Sequence, residues 1–137
     1  MWKLFILIIL LEIILDFSTV DTIKCINFHP IIIYRLILHH ITNCFLLYGW
    51  IFDNAILLLI HILNAISVVI YWLSNSNLCD LTVNVNDICG WKKDAPFKDL
   101  LYMSGIKSIP NWNILWHYVL ILLLAFISVY KLIFTNK

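Results

Sequence analysis

Four long runs of apolar residues follow one another along the chain and are separated by shorter polar stretches. Two of these runs, 31–52 and 55–74, meet at Asp53 and Asn54, and neither has the continuous polar face that a water-exposed helix needs. At a rise of 1.5 Å per residue, about twenty helical residues cross the roughly 30 Å hydrocarbon core of a bilayer. The pattern therefore predicts a helical hairpin that spans a membrane twice.

The apolar runs near the two ends of the chain, 3–17 and 113–134, predict two further spans. In the first, Lys3 precedes the apolar residues, as in a signal peptide. Three interpretations stay open for this segment: a cleaved signal, an uncleaved first span and an interfacial helix. We favour the uncleaved span, because residues 18–21 contain no clear small-x-small cleavage site. Glu12 then lies either within the membrane or close to its far interface.

Two polar segments separate the predicted spans: a linker at 18–30 and a loop at 75–111. Within the loop, residues 81–89 fit both an alternating strand and one face of a helix. Asp94 predicts the start of a short helix that stops at Gly105. Two placements stay open for it: we favour the membrane surface, and the alternative is packing against the mouth of the bundle.

Composition supports a membrane environment, since 63% of the residues are hydrophobic and 12% are charged. Soluble domains average about 45–50% apolar and about 25% charged residues. The net charge of +1 and the scattered lysines give no reason to expect a nucleic-acid partner. We predict an all-α fold, a transmembrane helical bundle of three to four spans with one polar loop carrying a short interfacial helix. Residues 1–137 form a single integral membrane domain.

Histidines within the apolar runs are the candidates for chemistry, because ionisable groups inside a membrane are often functional. Two facing imidazoles can bind a haem, and the candidates are His39, His40 and His117. The helical rise places no two histidines level with each other across the predicted hairpin, so no cofactor is predicted. The sequence contains no nucleophile–base pair, phosphate loop or carboxylate pair, and we therefore do not predict an enzyme.

Neutral polar residues in the hairpin predict a structural role. Asn64 comes level with Asn43 on the partner arm, and His61 lies within one turn of Asn43. Interhelical hydrogen bonds of this kind fix the register of a hairpin and are worth about 0.6 kcal/mol each. We therefore interpret Asn43, His61 and Asn64 as packing contacts.

The chain has four cysteines and no C-x-x-C pair, which argues against a zinc site or a thioredoxin-like centre. Cys79 and Cys89 share the polar loop and would form a disulfide if that loop faces an oxidising compartment. Counting lysines on the two sides favours a cytoplasmic loop, whereas Lys3 ahead of the first run favours the opposite orientation.

A short pattern in the second half of the hairpin resembles a known family. It consists of His61, Trp72 and the sequence Asn-Leu-Cys-Asp-Leu-Thr at 77–82. This pattern resembles one in small uncharacterised multi-spanning membrane proteins of bacteria and large DNA viruses, over about residues 36–134. The resemblance implies a helical hairpin, a loop and a closing helix, and it implies no activity.

The same resemblance implies that Cys79, Leu81 and Thr82 share a structural corner, in which the Thr82 hydroxyl caps a short helix. The abundance of Ile and Asn is typical of an AT-rich coding sequence, and this favours the viral branch of the family.

Two classes of function follow. The first is a structural or assembly component of a membrane or viral envelope, or an accessory subunit of a membrane complex. Its partners would be the lipid bilayer and either other membrane proteins or further copies of this chain. The second is a haem- or quinone-binding membrane anchor of a redox complex, which would use His39, His40 or His117. In both cases the expected location is a membrane crossed several times, in a viral envelope or in the host.

Overall fold

The computed structural model describes residues 1–76, 78–96, 100–105 and 112–134, and over these residues it contains helices and no strand. The predicted all-α class is confirmed. The helices are α1 (Trp2–Phe17), α2 (Val20–Phe28), α3 (Ile32–Tyr48), α4 (Ala55–Ser74), α5 (Asp80–Cys89), α6 (Leu100–Met103) and α7 (Trp112–Phe134), with a 3₁₀ turn (Gly49–Ile51) after α3.

The first helix runs antiparallel to α3 and packs along it. Near the start of α1, the Phe5 ring meets the rings of Phe45 and Phe52 edge-on, at centroid distances of 6.3 and 5.2 Å. Phe5 and Phe52 also enclose the buried Cys44. The start of α1 therefore lies beside the turn that joins α3 to α4, and its end lies at the opposite end of the bundle.

Asn54, in the hairpin turn, caps the start of α4 with its side chain. Asn54 Oδ1 accepts hydrogen bonds from the backbone N–H groups of Ile56 and Leu57, at 3.0 and 3.1 Å. Such a cap satisfies donors that the first turn of a helix leaves without partners. Beyond the cap, α4 packs mainly against α7. The core between α3, α4 and α7 consists of Leu46, Ala65, Ile121 and Ala125.

The other end of the bundle carries α2 and α5. The segment 18–30, predicted as a linker, therefore contains a helix, which starts because the Thr19 hydroxyl accepts the N–H of Thr22. Helix α5 ends at Cys89 and is followed by Gly90, whose φ of 69° is the left-handed conformation that favours glycine. The core at this end combines residues of α2, α3 and α5: Cys25, Ile32, Leu36 and Val85.

Asp94 does not start a helix, contrary to the prediction. Asn86 Nδ2 donates to the carbonyl oxygens of Lys93 and Ala95, at 3.1 and 3.0 Å, and these bonds hold the chain in a turn. Helix α6 covers only Leu100–Met103, and residues 97–99 lie outside the described part. Gly105 follows α6 with a φ of 75°, as expected for a stop.

The surface of the bundle is apolar and several of its buried side chains are polar. Ile56, Leu7 and Phe126, on three different helices, are 68%, 62% and 66% exposed. Buried polar side chains include Glu12, Asp16, Thr22, His40, His61, Asn86 and Ser128. In the described part of the chain, one helix, Ala55–Ser74, is both long and apolar enough to cross a membrane, with a mean hydropathy of 2.3. Tyr118–Phe134 provides a shorter apolar helical stretch.

Candidate functional site

The His40 ring lies between two carboxylates where α1 packs on α3. Its Nε2 is 3.0 Å from Asp16 Oδ2, and its Nδ1 is 3.4 Å from Glu12 Oε2. The residues His40, Glu12 and Asp16 are 0%, 1% and 2% exposed. Glu12 and Asp16 are one helical turn apart, so both face α3. The two acidic groups of α1 are thus ion-paired inside the bundle and are not on its apolar surface.

Helix α2 completes this arrangement from the side. Thr22 is fully buried, and its hydroxyl donates to Asp16 Oδ1 at 2.9 Å. The Thr19 hydroxyl lies 2.8 Å from the Thr22 hydroxyl and 2.9 Å from the Asp16 carbonyl oxygen. We call Glu12, Asp16, Thr22 and His40 the carboxylate–histidine cluster. It joins α1, α2 and α3 through groups that are all hydrogen-bonded, as buried polar groups require.

A disulfide between Cys25 and Cys89 fixes α2 to α5, with a Cα–Cα distance of 5.3 Å. The predicted Cys79–Cys89 pairing is therefore wrong, and Cys79 is a free thiol. The reason is the helical state of α5. Cys79 precedes its first residue and Cys89 is its last, so about 15 Å of helix separates them, well beyond the reach of a disulfide. Cys25 meets the end of α5 because α2 packs across it.

A second buried histidine, His61, joins α3, α4 and α7. Its Nε2 donates to the Leu46 carbonyl oxygen at 2.9 Å, and its Nδ1 lies 2.8 Å from Ser128 Oγ. With the ring proton on Nε2, Nδ1 accepts from the Ser128 hydroxyl and both nitrogens are satisfied by a neutral imidazole. Gly49 provides the space for this ring, because a Cβ atom there would lie 2.5 Å from His61 Cδ2.

The predicted packing contacts are thus present in part. His61 lies at an interhelical contact, but its partners are Leu46 and Ser128, and not Asn43. Asn64 Nδ2 is buried and has no hydrogen-bond partner among the described residues, so the amide nitrogen of Asn64 does not form the predicted bridge to Asn43. The physical reason is that α4 packs mainly against α7 and only slightly against α3, whereas the prediction from helical rise assumes that α3 and α4 pack along their whole length.

Lys131 of α7 closes the hairpin turn. Its Nζ donates to the carbonyl oxygens of Trp50, Ile51 and Phe52, at 3.2, 3.4 and 2.9 Å. It also lies 2.8 Å from Asp53 Oδ1. Carbonyl groups at the end of a helix lack partners within that helix, and here a lysine from another helix supplies the donor.

A cavity of about 390 Å³ lies between α3 and α4 and brings four predicted site residues together. They are His39, Asn43, Cys79 and Leu81. Thr82 lies inside α5, where Cys79 occupies the N-cap position without a side-chain hydrogen bond. The prediction that the Thr82 hydroxyl caps this helix is therefore wrong.

The buried histidines are poorly placed to bind a haem, since both ring nitrogens of His40 and of His61 are engaged by protein groups. The carboxylates of Glu12 and Asp16 approach opposite edges of the His40 ring, so they do not converge on one cation position. No group of three or more His, Cys, Asp or Glu side chains that suits a metal occurs in the described ranges. The side chain of His117 lies outside them.

The carboxylate–histidine cluster is not among the site residues that the sequence predicts. The available signal was the spacing of Glu12 and Asp16, which puts two acids on one face of an otherwise apolar helix.

Comparison of the chain with protein-family models, curated proteins and solved structures finds no match.

Proposed function

We propose that this chain is a multi-pass integral membrane protein that spans the bilayer with α1, α3, α4 and α7. Its role is that of a structural or assembly component of a membrane, or of an accessory subunit of a membrane complex. One observation carries the proposal: Glu12, Asp16 and His40 are buried together, while large apolar side chains cover the outside of the long helices. Lipid solvates such a surface, and ionisable groups inside a membrane are expected to face the bundle interior and to pair.

The helix lengths support this arrangement. α4 has 20 residues and α7 has 23, which correspond to about 30 and 34 Å. α1 is shorter, at 16 residues or about 24 Å. A span of that length is accommodated by local thinning of the bilayer at a modest free-energy cost. Its acidic residues are no obstacle, because His40 pairs with both of them.

The two buried histidines support a structural role, because both of them connect helices. His40 connects α3 to α1, and His61 connects α4 to α3 and α7. Since these groups are used for packing, the partners of the protein would contact its apolar outer surface. We place the protein in a viral envelope or a host membrane, in keeping with the resemblance carried by His61, Trp72 and the 77–82 sequence.

The disulfide supports one orientation. Disulfides persist in oxidising compartments, so the end that carries Cys25 and Cys89 would face the lumen or the exterior. The hairpin turn and the start of α1 would face the cytoplasm, which agrees with Lys3 and Lys131 at that end. Lys24, Lys92 and Lys93 lie at the opposite end, against the positive-inside bias. We give the disulfide more weight, because it requires an oxidising environment whereas the lysine count is a statistical preference.

Membrane integration is tested by extracting lysate membranes with alkaline carbonate, which releases peripheral and soluble proteins. The full-length protein should stay in the pellet and move to the supernatant only with detergent. Recovery of folded monomer in the supernatant without detergent would contradict the proposal. An absorption spectrum of the purified protein separates the two classes of function, since a Soret band would favour the haem anchor over the structural role.

Orientation is tested with Cys79, which lies at the same end of the bundle as the disulfide and is partly exposed. A membrane-impermeant maleimide added to intact cells or virions should label the wild type and leave Cys79→Ser unlabelled. Labelling only after the membrane is permeabilised would reverse the proposed orientation.

A further inference from the structure

The cavity between α3 and α4 is the feature that neither the packing contacts nor the proposed structural role explains. Its volume of about 390 Å³ falls within the range of pockets that bind small ligands, about 300–1,000 Å³. Two of its wall residues, Ser67 and Tyr71, are exposed, so the cavity opens to the surroundings of the bundle.

The two helices enclose a cavity because they are held together at one end only. Near the turn, the His61 ring fits against Gly49 and bonds the Leu46 carbonyl oxygen. Further from the turn, α4 packs on α7 and leaves its other face apart from α3. Cys79 and Leu81, at the start of α5, contribute to the wall of the cavity.

The chemistry of the walls indicates the class of ligand. The lining consists of His39, Thr42, Asn43, Leu46, Ser67, Val68, Tyr71, Trp72, Cys79 and Leu81. It contains apolar side chains together with hydroxyl, amide and imidazole groups, and it contains no Asp, Glu, Lys or Arg. Asn75 Nδ2 lies 3.0 Å from the hydroxyl of the wall residue Tyr71 and 3.1 Å from Asp80 Oδ1, so a carboxylate lies near the wall and disfavours an anionic head group.

We propose that this cavity binds a single-chain lipid with an uncharged, hydroxylated head group. The hydrocarbon chain lies against Leu46, Val68 and Trp72, and the hydroxyl groups of the ligand bond the uncharged polar side chains of the wall. This site rests on the proposed membrane location, because the bilayer is the source of such a ligand. Its test uses purified protein, so that its failure is distinguishable from a failure of membrane integration.

The rate at which Cys79 is alkylated reports on the occupancy of the cavity. The other cysteines do not compete with it, since Cys25 and Cys89 form the disulfide and Cys44 is buried. We would measure the rate of Cys79 alkylation by monobromobimane in dioleoylphosphatidylcholine nanodiscs, with monoolein added as the ligand. Monoolein should slow alkylation severalfold and in a saturable way. Oleate, which has the same chain and a carboxylate head, should protect much less.

A pair of neighbouring substitutions controls for unspecific effects of monoolein on the bilayer. Ser67→Phe fills the cavity and should abolish the effect of monoolein on alkylation. Ile66→Phe adds the same ring at a residue that is 44% exposed and outside the lining, and it should leave the effect intact. A second measurement uses Ser67→Leu, which is a smaller change. It compares how much radiolabelled monoolein the purified variant and the wild type retain.

Three results would overturn the proposal: no protection by monoolein, equal protection by oleate, or equal protection in Ser67→Phe and the wild type. The second of these would show a site that accepts any acyl chain without selecting the head group.

Discussion

Two fully buried histidines connect the helices of this bundle, and they do so by different chemistry. His40 lies between the carboxylates of Glu12 and Asp16, whereas His61 lies between a carbonyl oxygen and the hydroxyl of Ser128. The first contact places opposite charges inside a low-dielectric environment, and the second requires only a neutral ring. Removing His40 should therefore be far more damaging than removing His61, because it leaves buried carboxylates unpaired.

The largest effect is expected from His40→Ala. The change leaves two carboxylates buried without a cation, and loss of one partner of a buried ion pair typically costs about 3–5 kcal/mol. The free energy of unfolding can be measured by titrating the protein in mixed micelles with sodium dodecyl sulfate. Leu38→Ala, at a residue of the same helix that is 48% exposed, serves as the control and should have a small effect.

The charge explanation is sharpened by repeating His40→Ala in a Glu12→Gln, Asp16→Asn background. Because this background has no carboxylate at positions 12 and 16, His40→Ala should lower the free energy of unfolding by much less than it does in the wild type. An equal loss in the two backgrounds would show that His40 acts through its volume and not through its charge.

The packing of His61 is tested through Gly49→Ala, which leaves both hydrogen-bonding partners of the ring in place. The added methyl group would lie 2.5 Å from His61 Cδ2, so the ring must move. Overpacking of this kind typically costs about 1–3 kcal/mol. The same micelle titration measures the loss, and His61→Ala should make Gly49→Ala nearly neutral. If Gly49→Ala is equally harmful without the ring, the contact between Gly49 and His61 is not its cause.

Features that depend on residues close together in the chain were predictable from the sequence, and contacts between residues far apart in the chain were not. The apolar runs at 55–74 and 113–134 predicted α4 and α7, because the helical state of a long apolar segment is set locally. The segment 18–30 is predicted as a linker, although Thr19 with an acidic residue two positions later is typical of a helix start. That signal was available in the sequence.

The candidate site was less predictable because its contacts are long-range. His40 meets Asp16 across 24 residues, and His61 meets Ser128 across 67. Such pairs depend on the rotation of each helix about its axis and on which helices are neighbours, neither of which a periodicity determines. The disulfide shows the same dependence, since Cys25 and Cys89 are 64 residues apart and only the packing of α2 on α5 brings them together.

The hairpin turn contains a third contact, whose expected contribution to stability lies below that of His40, and Lys131→Met tests it. The lysine supplies donors to three carbonyl oxygens and pairs with Asp53. Because the Lys131 side chain is only 19% exposed, we expect a loss of about 1–2 kcal/mol in the micelle titration.

Asp53→Asn is the matched control for Lys131→Met. Asp53 is 68% exposed, and such pairs contribute about 0.2–1 kcal/mol. A larger loss for Asp53→Asn than for Lys131→Met would show that the ion pair, and not the bonds to the carbonyl oxygens, holds the turn.

The smallest effect is expected one turn from His61, at Asn64, and its sign is reversed. Helical rise alone predicts that Asn64→Leu weakens the bundle by removing a bridge to Asn43, yet Asn64 Nδ2 is buried without a partner among the described residues. An unsatisfied buried donor is unfavourable, and an apolar group of similar shape removes that cost. We therefore expect Asn64→Leu to leave stability unchanged or to raise it by about 0.5 kcal/mol.

Ser128→Ala, which removes a hydrogen bond that His61 does form, should lower stability by about 0.6 kcal/mol in the same titration. Opposite signs for these two substitutions would show that a polar residue in this interior stabilises the bundle only when its partner is present. A clear loss for Asn64→Leu would instead restore the interhelical bridge as its role.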